Sequence, residues 1–157
     1  MTEPGWPVAE FDPVRRLRVI AAATPGASIH ETVLDASVGS VWSVAADLER
    51  EMPKWLFPDI RSVRVTTAEE GRLVARILGH SGLRARFDVV LQPQWCLMRS
   101  RFLIGGMAAR EENGATRFAF LGGFRGPLRL FSPVAMSLSN RNGAAALNRF
   151  AQRVARR

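Results

Sequence analysis

The sequence has no tyrosine, one cysteine, two histidines and a single lysine. Without tyrosine, a common phenolic hydroxyl for acid–base work or ligand orientation is missing. Cys96 alone cannot build an internal disulfide framework. It follows Trp95 in a strand-like run, where a small buried apolar role suits it better than a nucleophile's. His30 and His80 lack metal-ligand spacing to each other or to Cys96, so neither a metal nor a cofactor is expected. No apolar run approaches the roughly 18 residues of a membrane span. The start, M-T-E-P-G-W-P, has neither the basic region nor the apolar stretch of a secretory leader, so a cytoplasmic location is the default expectation. No Gly-Lys-Ser/Thr or strand–Gly-x-Gly-x-x-Gly–helix context forms a phosphate loop. No internal repeat or low-complexity tract is present.

What is there is ordinary in bulk. A chain of 157 residues, 47% hydrophobic and 23% charged, fits one globular domain. The net charge of +8 is unevenly spread: residues 1–70 carry −4 and residues 71–157 carry +12. The arginines are distributed over alternate strand positions and the last helix rather than gathered in one run. Solvated faces explain them better than a nucleic-acid partner, and any membrane contact is expected to be transient at most.

The most informative stretch runs from Trp95 to Phe124. Two apolar-rich runs flank Asn113-Gly114, a strong signal for a two-residue turn that needs positive φ at both positions. Counting from that turn, Glu112 pairs with Ala115, Arg110 faces Arg117, Met107 faces Phe120 and Gly105 faces Gly122. Two Gly-Gly pairs therefore meet across adjacent strands. Glycines inside strands mark bulges, bends or close approach.

Earlier in the chain, Asp12-Pro13 opens a short helix over 13–23, with Val14, Leu17, Ile20 and Ala21 at helical spacing. Residues 1–27 read as an arm and an added packing helix, and 28–157 as the main domain. Ser28–Ala36 is a strand. Ser37 caps a helix carrying Val38, Val41, Trp42, Ala45 and Leu48. Trp55, Leu56 and Phe57 sit between Pro53 and Pro58, as a core plug or as the lip of a pocket. Strands follow at Arg61–Thr67, Arg72–Leu78 and Leu83–Leu91, the last with the cleanest alternation.

The loop near residue 93 decides the next register. A four-residue loop at 92–95 sets Val89 opposite Met98 and Asp88 opposite Arg99, pairing like with like. It turns Met98, Ser100 and Phe102 inward. A three-residue loop would instead set Phe87 opposite Arg99 and Ala85 opposite Arg101. Counting back from Asn113-Gly114 turns Met107, Ala109, Phe118 and Phe120 inward. The switch from even to odd positions is expected to be a bulge at Gly105-Gly106. A long terminal helix follows, carrying Val134 and Leu138 on its apolar face, with a kink between Asn140 and Gly143.

A strand, two short helices, a meander of about six strands and one long helix resembles the START-like helix-grip superfamily, which includes polyketide cyclases and lipid-transfer domains. Locally, D-A-S-V-G-S-V-W-S-V-A-A-D-L-E over residues 35–49 is similar to that superfamily's entry into its first helix, with Ser37 in place of the usual proline. The resemblance covers about residues 28–156. It implies an α+β fold, a curved antiparallel sheet of six to seven strands wrapped around the C-terminal helix. It also implies an apolar cavity between them and a hydrophobic small-molecule partner. Phe87, Met98, Ser100, Phe102, Met107, Phe118, Phe120, Val134 and Leu138 are then the expected lining, with Ser100 its polar member and Trp55 and Phe57 at the mouth. The alternative is a cyclase in which Arg99 and Arg101 point inward and hold an enolate.

Overall fold

A computed structural model describes residues 12–68, 72–125 and 132–157, the side chains of 132–140 excepted. Helix α1 (Pro13–Ala23) starts as anticipated: the Asp12 carboxylate accepts a hydrogen bond from the Arg15 amide at 3.0 Å, with proline in the first turn. Strand β1 (Ala27–Leu34) leads to α2 (Val38–Ala45), where Ser37 Oγ accepts from the Ser40 amide, and then to the single turn α3 (Met52–Trp55). Six further strands follow: β2 (Ile60–Thr67), β3 (Leu73–Gly79), β4 (Arg84–Gln92), β5 (Trp95–Arg99), β6 (Leu103–Glu112) and β7 (Ala115–Phe124). Helix α4 (Ser132–Ala155) closes the chain. The seven strands form one curled, unclosed antiparallel sheet in the order β1-β7-β6-β5-β4-β3-β2.

The β6–β7 hairpin has the anticipated register from Glu112↔Ala115 to Gly105↔Gly122. Asn113 and Gly114 have φ of 52° and 81°, the positive pair that a type I′ turn requires. The β4–β5 register also stands, with Val89 opposite Met98 and Asp88 opposite Arg99. Its loop is shorter than expected, because Gln92 pairs with Trp95 and Gln94 takes φ 61°. Leu83 lies before β4 rather than in it and is 73% exposed.

The expected bulge at Gly105-Gly106 is absent. The chain reverses at residues 100–102, and β5 pairs antiparallel with β6, Met98 opposite Gly105 and Cys96 opposite Met107. Ser100 makes the turn: its amide donates to the Leu103 carbonyl at 2.9 Å, and its hydroxyl accepts from the Leu103 amide at 2.9 Å. A hairpin pairing even with odd residues produces the same change of parity that a slipped strand would. The last helix is a single α4 of 24 residues that spans the expected kink position without a break.

Each sheet face is covered differently. On the inner face α2, α3 and α4 pack over Phe118, Phe120, Met107, Ala109, Met98, Phe87 and Val89. Phe118 stacks on Phe150 of α4 with ring centroids 4.0 Å apart. On the outer face Val14 and Leu17 of α1 cover Trp95, Leu97, Ile104, Ala108, Ala119 and Leu121. So residues 13–23 are the lid of the sheet's second face. Helix α4 is clamped near its end: Arg149 donates to the carbonyls of Trp55 and Leu56, at 2.8 and 2.7 Å. The nearly buried Glu51 carboxylate accepts from Arg153 and Arg157. Those contacts, Arg153 foremost, hold its carboxyl down at about 2.

Candidate functional site

Packing on the inner face is incomplete. Between the sheet, α3 and α4 lies a pocket of about 320 Å³. Its floor is Phe87, Met98, Gly105, Met107, Phe120 and Gly122, and its sides include Met52, Leu56, Phe57, His30 and Gly143. The two facing glycines hollow the floor. Among the described residues, a methyl on Gly105 would meet nothing closer than 3.8 Å, and one on Gly122 nothing closer than 3.5 Å. Their chain neighbours behave oppositely. A methyl on Gly106 would come within 2.7 Å of the Leu17 side chain, and one on Gly123 within 2.5 Å of the β1 backbone at Gly26 and Ala27. Alternate glycines therefore serve alternate faces.

Among the expected lining residues, Phe87, Met98, Met107 and Phe120 border this pocket. Phe118 is fully buried beside it, held in the core by Phe150 and Trp55. Ser100 and Phe102 are corrections. Ser100 shapes the β5–β6 turn, and Phe102 in that turn is 40% exposed. The chain turns back there, so neither position continues the inward alternation of β5. Phe57 stands at the rim, 36% exposed. Trp55 also lines the pocket but is fully buried, with Phe118, Phe120 and Phe150 edge-on around it, so it stands at the inner wall rather than the mouth. The side chains of Val134 and Leu138 lie outside the described residues.

Arg99 and Arg101 sit on the far side of the sheet. They share an open outer groove with Arg72, Arg86, Asp88 and Arg125. Arg99 follows Leu97 on the outward alternation of β5, and Arg101 lies over the Phe102 ring, 5.2 Å from its centroid. Neither arginine borders the inner pocket.

The polar side chains of the pocket are few: Ser28, His30 and Asn142, with no charged group among the described lining residues. Sequence reasoning passed over His30. It stands opposite Phe120 in the β1–β7 ladder, while its neighbour Glu31 points outward to Arg18 and Arg117. A methyl on Gly143 would lie 2.5 Å from His30 Nδ1, so the glycine in α4 makes room for an imidazole. The available signal was this glycine in a long apolar helix, where it costs stability unless something needs the space. Burial lowers the His30 pKa and keeps the ring neutral. Burial also pushes the Cys96 thiol up to about 12, which leaves no thiolate for nucleophilic work. Among the described residues, no group of three or more metal-ligating side chains converges. No helix among them is long and apolar enough to cross a membrane.

No family model and no curated protein matches the sequence. Solved structures do. XoxI from Bacillus cereus superposes with a TM-score of 0.65 at 18% identity, covering 82% of this chain and 95% of that one. The Zhui aromatase/cyclase from Streptomyces sp. R1128 gives 0.63 at 18% identity, over 83% and 94%. Ara h 8.0201 gives 0.60 at 10% identity, over 83% and 98%. The chain has the START-like helix-grip fold. In helix-grip terms, the pocket lies between the grip, the inner sheet face, and the gripped helix α4.

Proposed function

We propose that this protein binds a hydrophobic small molecule in the pocket between the inner sheet face and α4. One observation carries the reading: a hollow lined almost wholly by apolar described residues, whose floor contains two facing glycines that no described residue crowds. Interiors are normally packed to crystal-like density, so a hollow kept open by residues without side chains fits a ligand better than a core. Met52, Met98 and Met107 on its wall are flexible, polarizable side chains suited to varied apolar shapes. Aromatase/cyclase folds among the structural neighbours are compatible with a lipid-like or polyketide-like occupant.

A cyclase that uses Arg99 and Arg101 draws no support from their position on the outer groove. The test is solvent extraction of the natively purified protein followed by mass spectrometry. The proposal expects an apolar compound in stoichiometric amount that is absent from a mock purification. An empty extract, together with failure to bind any of a panel of naphthalene-sized probes, removes it.

A further inference from the structure

We infer that His30 is the hydrogen-bond donor that orients the pocket's occupant, which is therefore a neutral apolar molecule carrying an acceptor oxygen such as a ketone. This rests on the pocket reading above and adds the chemical class.

The argument starts from Gly143. A methyl there would lie 2.5 Å from both Nδ1 and Cε1 of His30 and 3.2 Å from Nε2. Those three distances place the glycine's Cα hydrogen over the imidazole face beside the Nδ1–Cε1 bond, so α4 covers this side of the ring. Nδ1 is buried and has no hydrogen-bond partner among the described residues. An N–H at Nδ1 would be a buried donor with no acceptor, and orphaned donors are rarer in native interiors than under-satisfied acceptors. A bare lone pair at Nδ1 is the less costly orphan. The neutral ring carries one proton, so it sits on Nε2. Nε2 also has no protein partner among the described residues, but unlike Nδ1 it is not sealed, on a side chain that lines the pocket.

A donor in an apolar wall stays unpaired until an occupant supplies an acceptor. The surroundings narrow that occupant further. Ser28 already donates to the Gly122 carbonyl at 3.5 Å, Asn142 is exposed, and the Trp55 indole N–H, also without a partner among the described residues, is sealed in the packing like Nδ1 rather than open to the pocket. No Asp, Glu, Lys or Arg stands among the described lining residues to balance a charged ligand, and burying an unpaired charge is costly. What remains is an uncharged molecule with one well-placed oxygen.

Two probes of one skeleton test this: 2-acetylnaphthalene, which has the oxygen, and 2-ethylnaphthalene, which lacks it. Methyl-labelled methionine reports binding, because Met98 and Met107 border the pocket. The ketone-to-hydrocarbon affinity ratio should fall about five- to tenfold from wild type to His30→Phe, as expected for one lost hydrogen bond. His30→Leu repeats the comparison if the larger ring disturbs folding. Long-range 1H–15N spectra should place the proton on Nε2 in the ketone complex. A ratio unchanged by both variants, or a proton on Nδ1, overturns the inference while hydrocarbon binding leaves the pocket reading intact. If neither probe moves any methionine methyl, the inference falls together with the pocket reading.

Discussion

The two faces of strands β6 and β7 are built from alternate residues of the same twenty positions, yet they end differently. Outward, Ile104, Ala108, Ala119 and Leu121 are closed over by α1, and Gly106 is where Leu17 presses in. The outer rim is charged, with Glu112 bonded to Arg110 and Arg117, and Glu31 to Arg18. Inward, Phe118 meets Phe150, but a methyl on Gly105 or Gly122 would make only ordinary contacts with the described residues, and no charged side chain among them borders the pocket. The lesson concerns glycine. Within one Gly-Gly pair, the outward residue is small because a neighbour presses on it, and the inward residue is small although no described neighbour comes closer than ordinary contact.

That contrast can be broken first at the outward glycines. Gly123→Ala pushes a methyl to 2.5 Å from backbone atoms of Gly26 and Ala27, which cannot rotate away. Its expected cost is about 3 kcal/mol, read as a lower urea midpoint at constant slope. Gly106→Ala meets the end of the Leu17 side chain at 2.7 Å and the Cys96 carbonyl at 3.2 Å. Part of that strain can relax, so about 1–2 kcal/mol is expected. Combining it with Leu17→Ala should cost less than the sum of the two single changes, because they share one contact. The inward glycines should behave otherwise. Gly105→Ala and Gly122→Ala each gain strand propensity and meet no close neighbour, so stability should stay level or rise by about 0.5 kcal/mol. A loss comparable to that of Gly106→Ala would erase the distinction between the faces.

The smallest effect expected is on pH dependence. His30 has a folded pKa below the ordinary imidazole value of 6.5, because burial disfavours the charged ring. Its contribution is complete above pH 6.5 and is lost as pH falls through the folded value, since the unfolded chain takes up the proton first. Glu51 adds a second, more acid limb. Its carboxyl moves from 4.5 to about 2, so its contribution is lost as pH falls from 4.5 towards 2. Denaturation midpoints measured across pH should lose the upper limb in His30→Leu and keep a weakened lower one in Glu51→Gln, because the Arg117 guanidinium holds the Glu112 carboxyl down to about 2 as well.

The strongest sequence signals were local ones. Asn113-Gly114 fixes ten cross-strand pairs because a two-residue turn leaves no freedom of register. Asp12-Pro13 and Ser37 mark two helix starts by their capping chemistry. The reversal at residues 100–102 escaped notice because R-S-R-F has no Gly, Pro or Asn, and only the Ser100 hydroxyl makes the turn. The change of parity was seen, but a bulge and a hairpin both produce it. That one misreading sent Ser100 and Phe102 inward. His30 was missed for a different reason. Its neighbours Phe120 and Gly143 are brought to it only by the β1–β7 ladder and the seating of α4, contacts about ninety residues or more away in sequence.

The central claim is that the inner hollow is a binding site and not a packing defect. Gly105→Leu puts that to the test by filling the floor opposite Met98 from a position that no described residue crowds. Titrated with 2-acetylnaphthalene, wild-type protein should show saturable shifts of the Met98 and Met107 methyls. Gly105→Leu, folded with an unfolding midpoint close to wild type, should show none. Equal binding by both proteins would contradict the account.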